Sequence, residues 1–89
     1  MHFRWNDWNV EHIDRHGVTS DEAELVVRHA KSPYPRYRED DKWLVWGRGH
    51  GGRLLQVIFV IDDEGSIFVI HARPLTDKEK KRYRKRDTT

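Results

Sequence analysis

Two apolar runs separated by a four-residue turn dominate the second half of the chain. Residues 53–61 and 66–73 are rich in β-branched and aromatic side chains, and Asp62-Asp63-Glu64-Gly65 stands between them. Runs of this kind around a Gly-containing turn read as the arms of an antiparallel hairpin. A third run, residues 42–46, reaches the hairpin through Gly47-Arg48-Gly49-His50-Gly51-Gly52, which completes a three-stranded meander. The apolar faces of such a sheet need a covering layer, which must come from residues outside the meander. In the last strand, period two puts Ile67, Val69, His71 and Arg73 on one face and Phe68, Ile70 and Ala72 on the other. Pro74 ends strand pairing. Thr76 then caps a helix, Glu79 completes a capping box, and Tyr83 lies one turn further on the same helical face.

The first half supplies helices. Phe3-Arg4-Trp5 reads as a short edge strand. Asn6 or Asp7 caps a helix over residues 8–16, with Trp8 and Ile13 as its main buried side chains and Gly17 in the left-handed position that ends it. Thr19 and Glu22 form a second capping box, with Val18 stapled onto Ala23. Ala23, Val26, Val27 and Ala30 give that helix one narrow apolar face. Ser32-Pro33-Tyr34-Pro35 stops it, and residues 36–41 read as a charged loop. The expected fold is therefore α+β in a single domain, residues 1–89. A short N-terminal strand and a three-stranded meander form a small antiparallel sheet. Two N-terminal helices pack on it, and a basic C-terminal helix follows. Trp43 and Trp46 fall on opposite faces of one strand, so both faces carry apolar surface. Either tryptophan fills a small core, or a spare face meets a protein partner.

Charge narrows the possible partners. Residues 1–72 hold nine Lys/Arg against twelve Asp/Glu, a net of −3, and residues 73–89 hold eight against three, a net of +5. This asymmetry fits either a polyanionic partner at the C-terminal end or a solvated basic helix. The chain has no cysteine, which excludes disulfides and thiolate metal sites. No apolar run reaches the ~18 residues of a membrane helix, and the first residues show no apolar signal core. A cytoplasmic protein without membrane association is expected.

Three constellations carry possible chemistry. Arg15 and His16 at a helix end, with His71 and Arg73 at a strand end, supply the groups that metal-free RNA cleavage needs: a base, an acid and cations for the phosphorane. The structural alternative makes His16 a helix cap, His71 a strand residue and Arg73 an ion pair with Glu79. His12 and His16 have the i, i+4 spacing of a metal-chelating helix, but Ile13 stands where a metalloprotease has its glutamate, and no third ligand is evident. The glycine-rich segment lacks the Lys-Ser/Thr of a P-loop and reads as a hairpin turn whose Arg48 and His50 can touch a nucleic-acid backbone.

Taken in order, Phe3-Arg4-Trp5, Arg15-His16-Gly17-Val18, Glu22-Ala23 and His71-Ala72-Arg73-Pro74-Leu75-Thr76, followed by Glu79 and Tyr83, resemble the BrnT family of bacterial toxins. The likeness runs across nearly the whole chain. It implies a RelE-like fold and an endoribonuclease toxin of a type II toxin–antitoxin pair, which cleaves RNA without metal or cofactor and inhibits translation. It also implies neutralisation by a BrnA-like antitoxin with a DNA-binding domain, in a hetero-oligomer. By motif, Arg15 and His16 match the family's Lys-His, Arg73 its C-terminal arginine, and Glu79 and Tyr83 the Glu and Tyr of the last helix. The chain departs from the family pattern in five respects, one being a segment up to Arg15 that is one residue shorter. Asn6 follows Trp5, no lysine precedes Lys31, His12 replaces an asparagine and His71 a serine.

The expected catalytic set is Arg15, His16, His71, Arg73, Glu79 and Tyr83. Lys78, Lys81, Arg82 and Lys85 of the basic helix, residues 78–86, are expected to hold the RNA backbone. The alternative is a catalytically inactive, toxin-like interaction module that binds an antitoxin or nucleic acid. A third possibility is a small structural protein whose basic tail docks on ribosomal RNA.

Overall fold

The computed structural model describes residues 1–87; for Arg86 and Asp87 it describes the backbone alone. The elements run α1 (Asp7–Asp14), α2 (Ser20–Arg28), β1 (Arg36–Tyr37), β2 (Trp43–Arg48), a 3-10 turn (His50–Gly52), β3 (Leu54–Ile61), β4 (Ile67–Pro74) and α3 (Asp77–Asp87). The strands form one antiparallel sheet in the order β1-β2-β3-β4. The α+β class, the meander, the two N-terminal helices and the C-terminal helix are all present. No helix among the described residues is long and apolar enough to cross a membrane.

The core lies between α1, α2 and one face of the sheet. Ile13, Val18, Ala23, Val26 and Val27 meet Val45, Leu55, Val57, Phe59, Val69 and Ala72 there. Gly17 takes φ +72° and turns the chain from α1 toward α2, and Gly65 takes φ +82° between β3 and β4. Asn6 caps α1 through a full box with Asn9: each side chain accepts from the other's backbone N–H, at 3.2 and 2.8 Å.

Four expectations change. Trp8 is 54% exposed, and Asn9, not Trp8, accompanies Ile13 into the core. Asn9 is tolerated there because its Nδ2 donates to the Arg4 carbonyl at 3.1 Å while its Oδ1 serves the cap. The N-terminal strand reduces to a single parallel bridge, Phe3 to Ile67. The fourth strand instead comes from the supposed charged loop. Arg36 and Tyr37 pair with Leu44 and Trp43, and Asp40 and Asp41 turn between them with φ near +60° (58° and 59°). The aspartates accept that conformation more readily than most residues, so a run that looks merely solvated closes a hairpin.

The third change concerns β4. Phe59 faces Val69, yet the next residue back, Ile58, faces His71, so Ile70 is an extra residue, a β-bulge. Ile67 and Val69 point into the core before it and Ala72 after it. His71 and Arg73 therefore leave the face of Ile67 and Val69 and point to the opposite, outer face of the sheet. The fourth change concerns Glu22. Thr19 caps α2 by accepting from the Glu22 N–H at 3.2 Å, but the Glu22 carboxylate does not return to Thr19. It takes two bonds from Arg53, at 2.6 and 2.9 Å, and one from the His50 N–H at 2.8 Å. The Arg53 bond holds the buried carboxyl below its ordinary range despite the opposing effect of burial. The same guanidinium donates to the Gly17 carbonyl, so one side chain joins the α1–α2 turn, α2 and the start of β3.

Glu22→Gln keeps the volume and removes the charge from this junction. It should cost about 1–3 kcal/mol in urea denaturation at neutral pH. A loss below about 0.5 kcal/mol, the range of inconsequential surface changes, would show that the junction contributes little.

Candidate nucleic-acid interface

The outer face of the sheet follows from register. Leu44, Ile58 and His71 stand across from one another, as do Trp46, Gln56 and Arg73. Gln56 is the polar interruption in the most apolar strand, and it is buried. Its Oε1 accepts from Trp46 Nε1 at 3.0 Å and lies 3.4 Å from an Arg73 nitrogen. Arg73 also makes a bidentate pair with Glu79 of α3 at 2.7 and 2.9 Å, and donates to its neighbour's carbonyl on Pro74 at 3.0 Å. Glu79 meanwhile accepts from the Thr76 N–H at 2.8 Å and donates its own N–H to Thr76 Oγ at 3.2 Å, the full capping box expected there. Chiefly through the Arg73 bond, its carboxyl is held down at about 2.

Above this floor lies an open groove of about 320 Å³. Arg36, Arg38, Arg73 and Arg82 supply its positive charge, and Tyr34 and Trp46 its aromatic surface. The Arg82 guanidinium lies 5.8 Å from the Trp46 ring, and that of Arg36 lies 5.7 Å from Tyr34. Among the described residues, Arg36, Arg38 and Arg82 have no carboxylate partner. Guanidinium groups without a carboxylate, beside aromatic faces, suit a single-stranded nucleic acid with its phosphates and flat bases.

A second cluster adjoins it. α1 packs along β4, the last strand of the sheet, so Ile13 enters the core while Trp8, His12 and His16 meet β4 side chains. The His16 and His71 rings are 5.6 Å apart edge to face, and His12 lies 6.5 Å from His71. Trp8 stacks on His12 at 4.9 Å and on Phe68 at 6.0 Å. Burial, then the charges of His16, Arg73 and His12, hold the His71 imidazole below its ordinary value of 6.5. No three His, Asp or Glu side chains among the described residues are arranged to hold a metal ion.

The structure thus brings His16 to His71 and Glu79 to Arg73, with His71 and Arg73 two residues apart on one strand. Arg15 is exposed at the end of α1 beside His16. Tyr83 joins neither cluster: it stacks near Tyr34 at 6.5 Å and under Arg48 at 5.9 Å. Of the four RNA-binding candidates on α3, Arg82 lines the groove, while Lys78, Lys81 and Lys85 are exposed outside it. Sequence reasoning missed Tyr34, Arg36, Arg38 and Gln56 as groove residues. Two signals pointed to them: the i, i+2 arginines of the charged run, and a lone glutamine in an apolar strand. Comparison of the chain with models of protein families, with curated proteins and with solved structures gives no match. On the geometry alone, the class is an α+β protein with an arginine-lined groove on its sheet and a histidine cluster beside it.

Two titrations test the electrostatics. The His71 resonance should titrate below 6.5, and His16→Gln should raise its midpoint by removing the larger of the two histidine charges. A midpoint at or above 6.5 in the wild type would contradict the packing around that ring. Glu79 has a folded value of about 2, so its contribution to stability is complete above the unfolded carboxyl range and lost as pH falls toward 2. Glu79→Gln should therefore be less stable than wild type in urea at pH 7, and the gap should narrow on acidification. An equal gap at both pH values would contradict the pairing.

Proposed function

We propose that this chain is a metal-independent endoribonuclease toxin of a type II toxin–antitoxin pair, with a RelE-like fold and membership of the BrnT family. It would act on RNA in the cytoplasm and be neutralised there in a hetero-oligomer with a BrnA-like antitoxin. One observation carries this: the His16–His71 pair and the Glu79-anchored Arg73 sit together at the end of β4, beside a groove lined by arginines. His71, whose imidazole its surroundings hold below the ordinary histidine range, suits the base that takes the 2′-hydroxyl proton. The 2′-oxygen then attacks phosphorus, and the 5′-oxygen leaves with a proton from His16. That step yields a 2′,3′-cyclic phosphate. Arg73, with Arg15, carries the negative charge that builds on the phosphoryl oxygens. Glu79 fixes the guanidinium, which reduces the reorganisation needed during reaction.

The non-catalytic reading draws on one feature of the same arginine. Both terminal nitrogens of Arg73 already bond to Glu79, and Gln56 and the Pro74 carbonyl take further donors. An arginine so engaged also suits a rigid binding module for an antitoxin or nucleic acid.

Incubation with a long unstructured RNA in excess chelator separates the two. Wild type should cleave. Arg73→Ala and His71→Ala should each reduce the rate by at least ~10²-fold, the scale of a lost general base or charge stabiliser. Binding without cleavage favours the interaction module, and cleavage undiminished in both variants would remove these residues from the mechanism.

A further inference from the structure

Trp46 also lines a second groove, of about 220 Å³. His29 at the end of α2, Lys31 beyond it and Arg48 at the end of β2 line it, together with Tyr83 of α3. These three potential cations come from two parts of the chain, the end of α2 and the end of β2. Among the described residues, no acidic side chain lines the groove and none of the three has a carboxylate partner. The first groove, by contrast, contains Glu79. Arg48 is held in place, since its guanidinium lies 5.9 Å from the Tyr83 ring and donates to the Gly52 carbonyl at 3.3 Å. Trp46 lines both grooves and shares the outer face of β2 with Leu44 and Arg48. Residues two apart on a strand are roughly 6.6 Å apart, so Arg48 stands one such step beyond Trp46 along the outer face of β2.

We propose that this second groove is a phosphate subsite for single-stranded RNA, engaging the backbone at least one nucleotide away from the cleaved bond. It rests on the endoribonuclease reading for its ligand and extends it to the length of RNA held. Arg48 and Lys31 contact the phosphate, and Tyr83 is a positioning residue that fixes the Arg48 guanidinium. A short RNA occupies the arginine-lined groove alone, and a longer one reaches across Trp46 into the second.

The test uses fluorescence anisotropy with non-cleavable 2′-O-methyl oligoribonucleotides of two to eight nucleotides, on the full chain. Wild-type affinity should rise in a step once the oligonucleotide is long enough to span both grooves. The Lys31→Gln/Arg48→Gln double variant, altered at two exposed positions, should lose that step and bind the longer oligonucleotides about tenfold more weakly. Its binding of the shortest should be unchanged. Its salt slope on the longer ones should fall by about 0.7, because one phosphate of the single strand is no longer neutralised. Arg48→Lys, which keeps the charge, should restore part of the step in a Lys31 background. A double variant that is folded by circular dichroism and retains the wild-type length step overturns the subsite while leaving RNA binding intact. If the variant binds RNA normally but loses binding to an acidic protein partner, the groove belongs to that partner. No RNA binding by wild type at any length overturns this subsite and the reading beneath it together. Binding with the length step but no cleavage supports the subsite and overturns the catalytic claim alone.

Discussion

Ile70 has no residue of its own across the ladder, and the placement of every group near the end of β4 follows from that. Without the extra residue, strict alternation would keep His71 and Arg73 on the face of Ile67 and Val69, buried against the helices. Charged and titratable groups would then need partners in an apolar layer, where desolvation is costly. With it, Ala72 takes the core position opposite Val57, and its two neighbours turn outward. One inserted residue thus gives β4 a core-facing half and a chemistry-bearing half without ending the strand. Bulges bend and twist the strands that carry them, and they recur where a side chain must be re-aimed.

Local rules in the sequence were enough to locate much of the fold. The turn at residues 62–65, the glycine that ends α1, the Thr76–Glu79 cap and the Arg73–Glu79 pair are short-range features, and each is present. What stayed hidden depends on residues far apart in the chain. Nothing near Ile70 announces a register shift, because the shift is a relation between two strands. Glu22 looks like half of a capping box until Arg53, thirty-one positions away, competes for its carboxylate and wins with a charged pair. Trp8 reads as core by type, yet the helix face that enters the core is set by Ile13 and by Asn9's bonds to Arg4 and Asn6. For the candidate site, His71, Arg73 and Glu79 were legible. The groove around them was not, since Tyr34, Arg36, Arg38 and Gln56 converge only when the β1–β2 hairpin closes.

The charge map is subtler than a basic tail on an acidic body. Arg36, Arg38 and Arg48 all belong to residues 1–72, the segment with a net of −3. The acids of that segment are partly spent elsewhere: Glu22 on Arg53, Glu24 on Arg28 and Asp62 on Arg4. What remains on the outer face of the sheet is a local excess of guanidinium that no count over the sequence reveals. Its reach into solution is limited to about 8 Å at physiological ionic strength, so it acts on a ligand already near the face.

Glu79 serves two structures at once, closing the first turn of α3 and gripping Arg73 on the sheet. Helix and arginine are therefore one cooperative unit with respect to local opening. When the first turn of α3 unravels, its cap and the arginine's carboxylate anchor are lost together, so amide exchange in that turn and the rotamer order of Arg73 report a single equilibrium. A binding partner that captures α3 away from the sheet would thereby strip the arginine of its carboxylate without touching it.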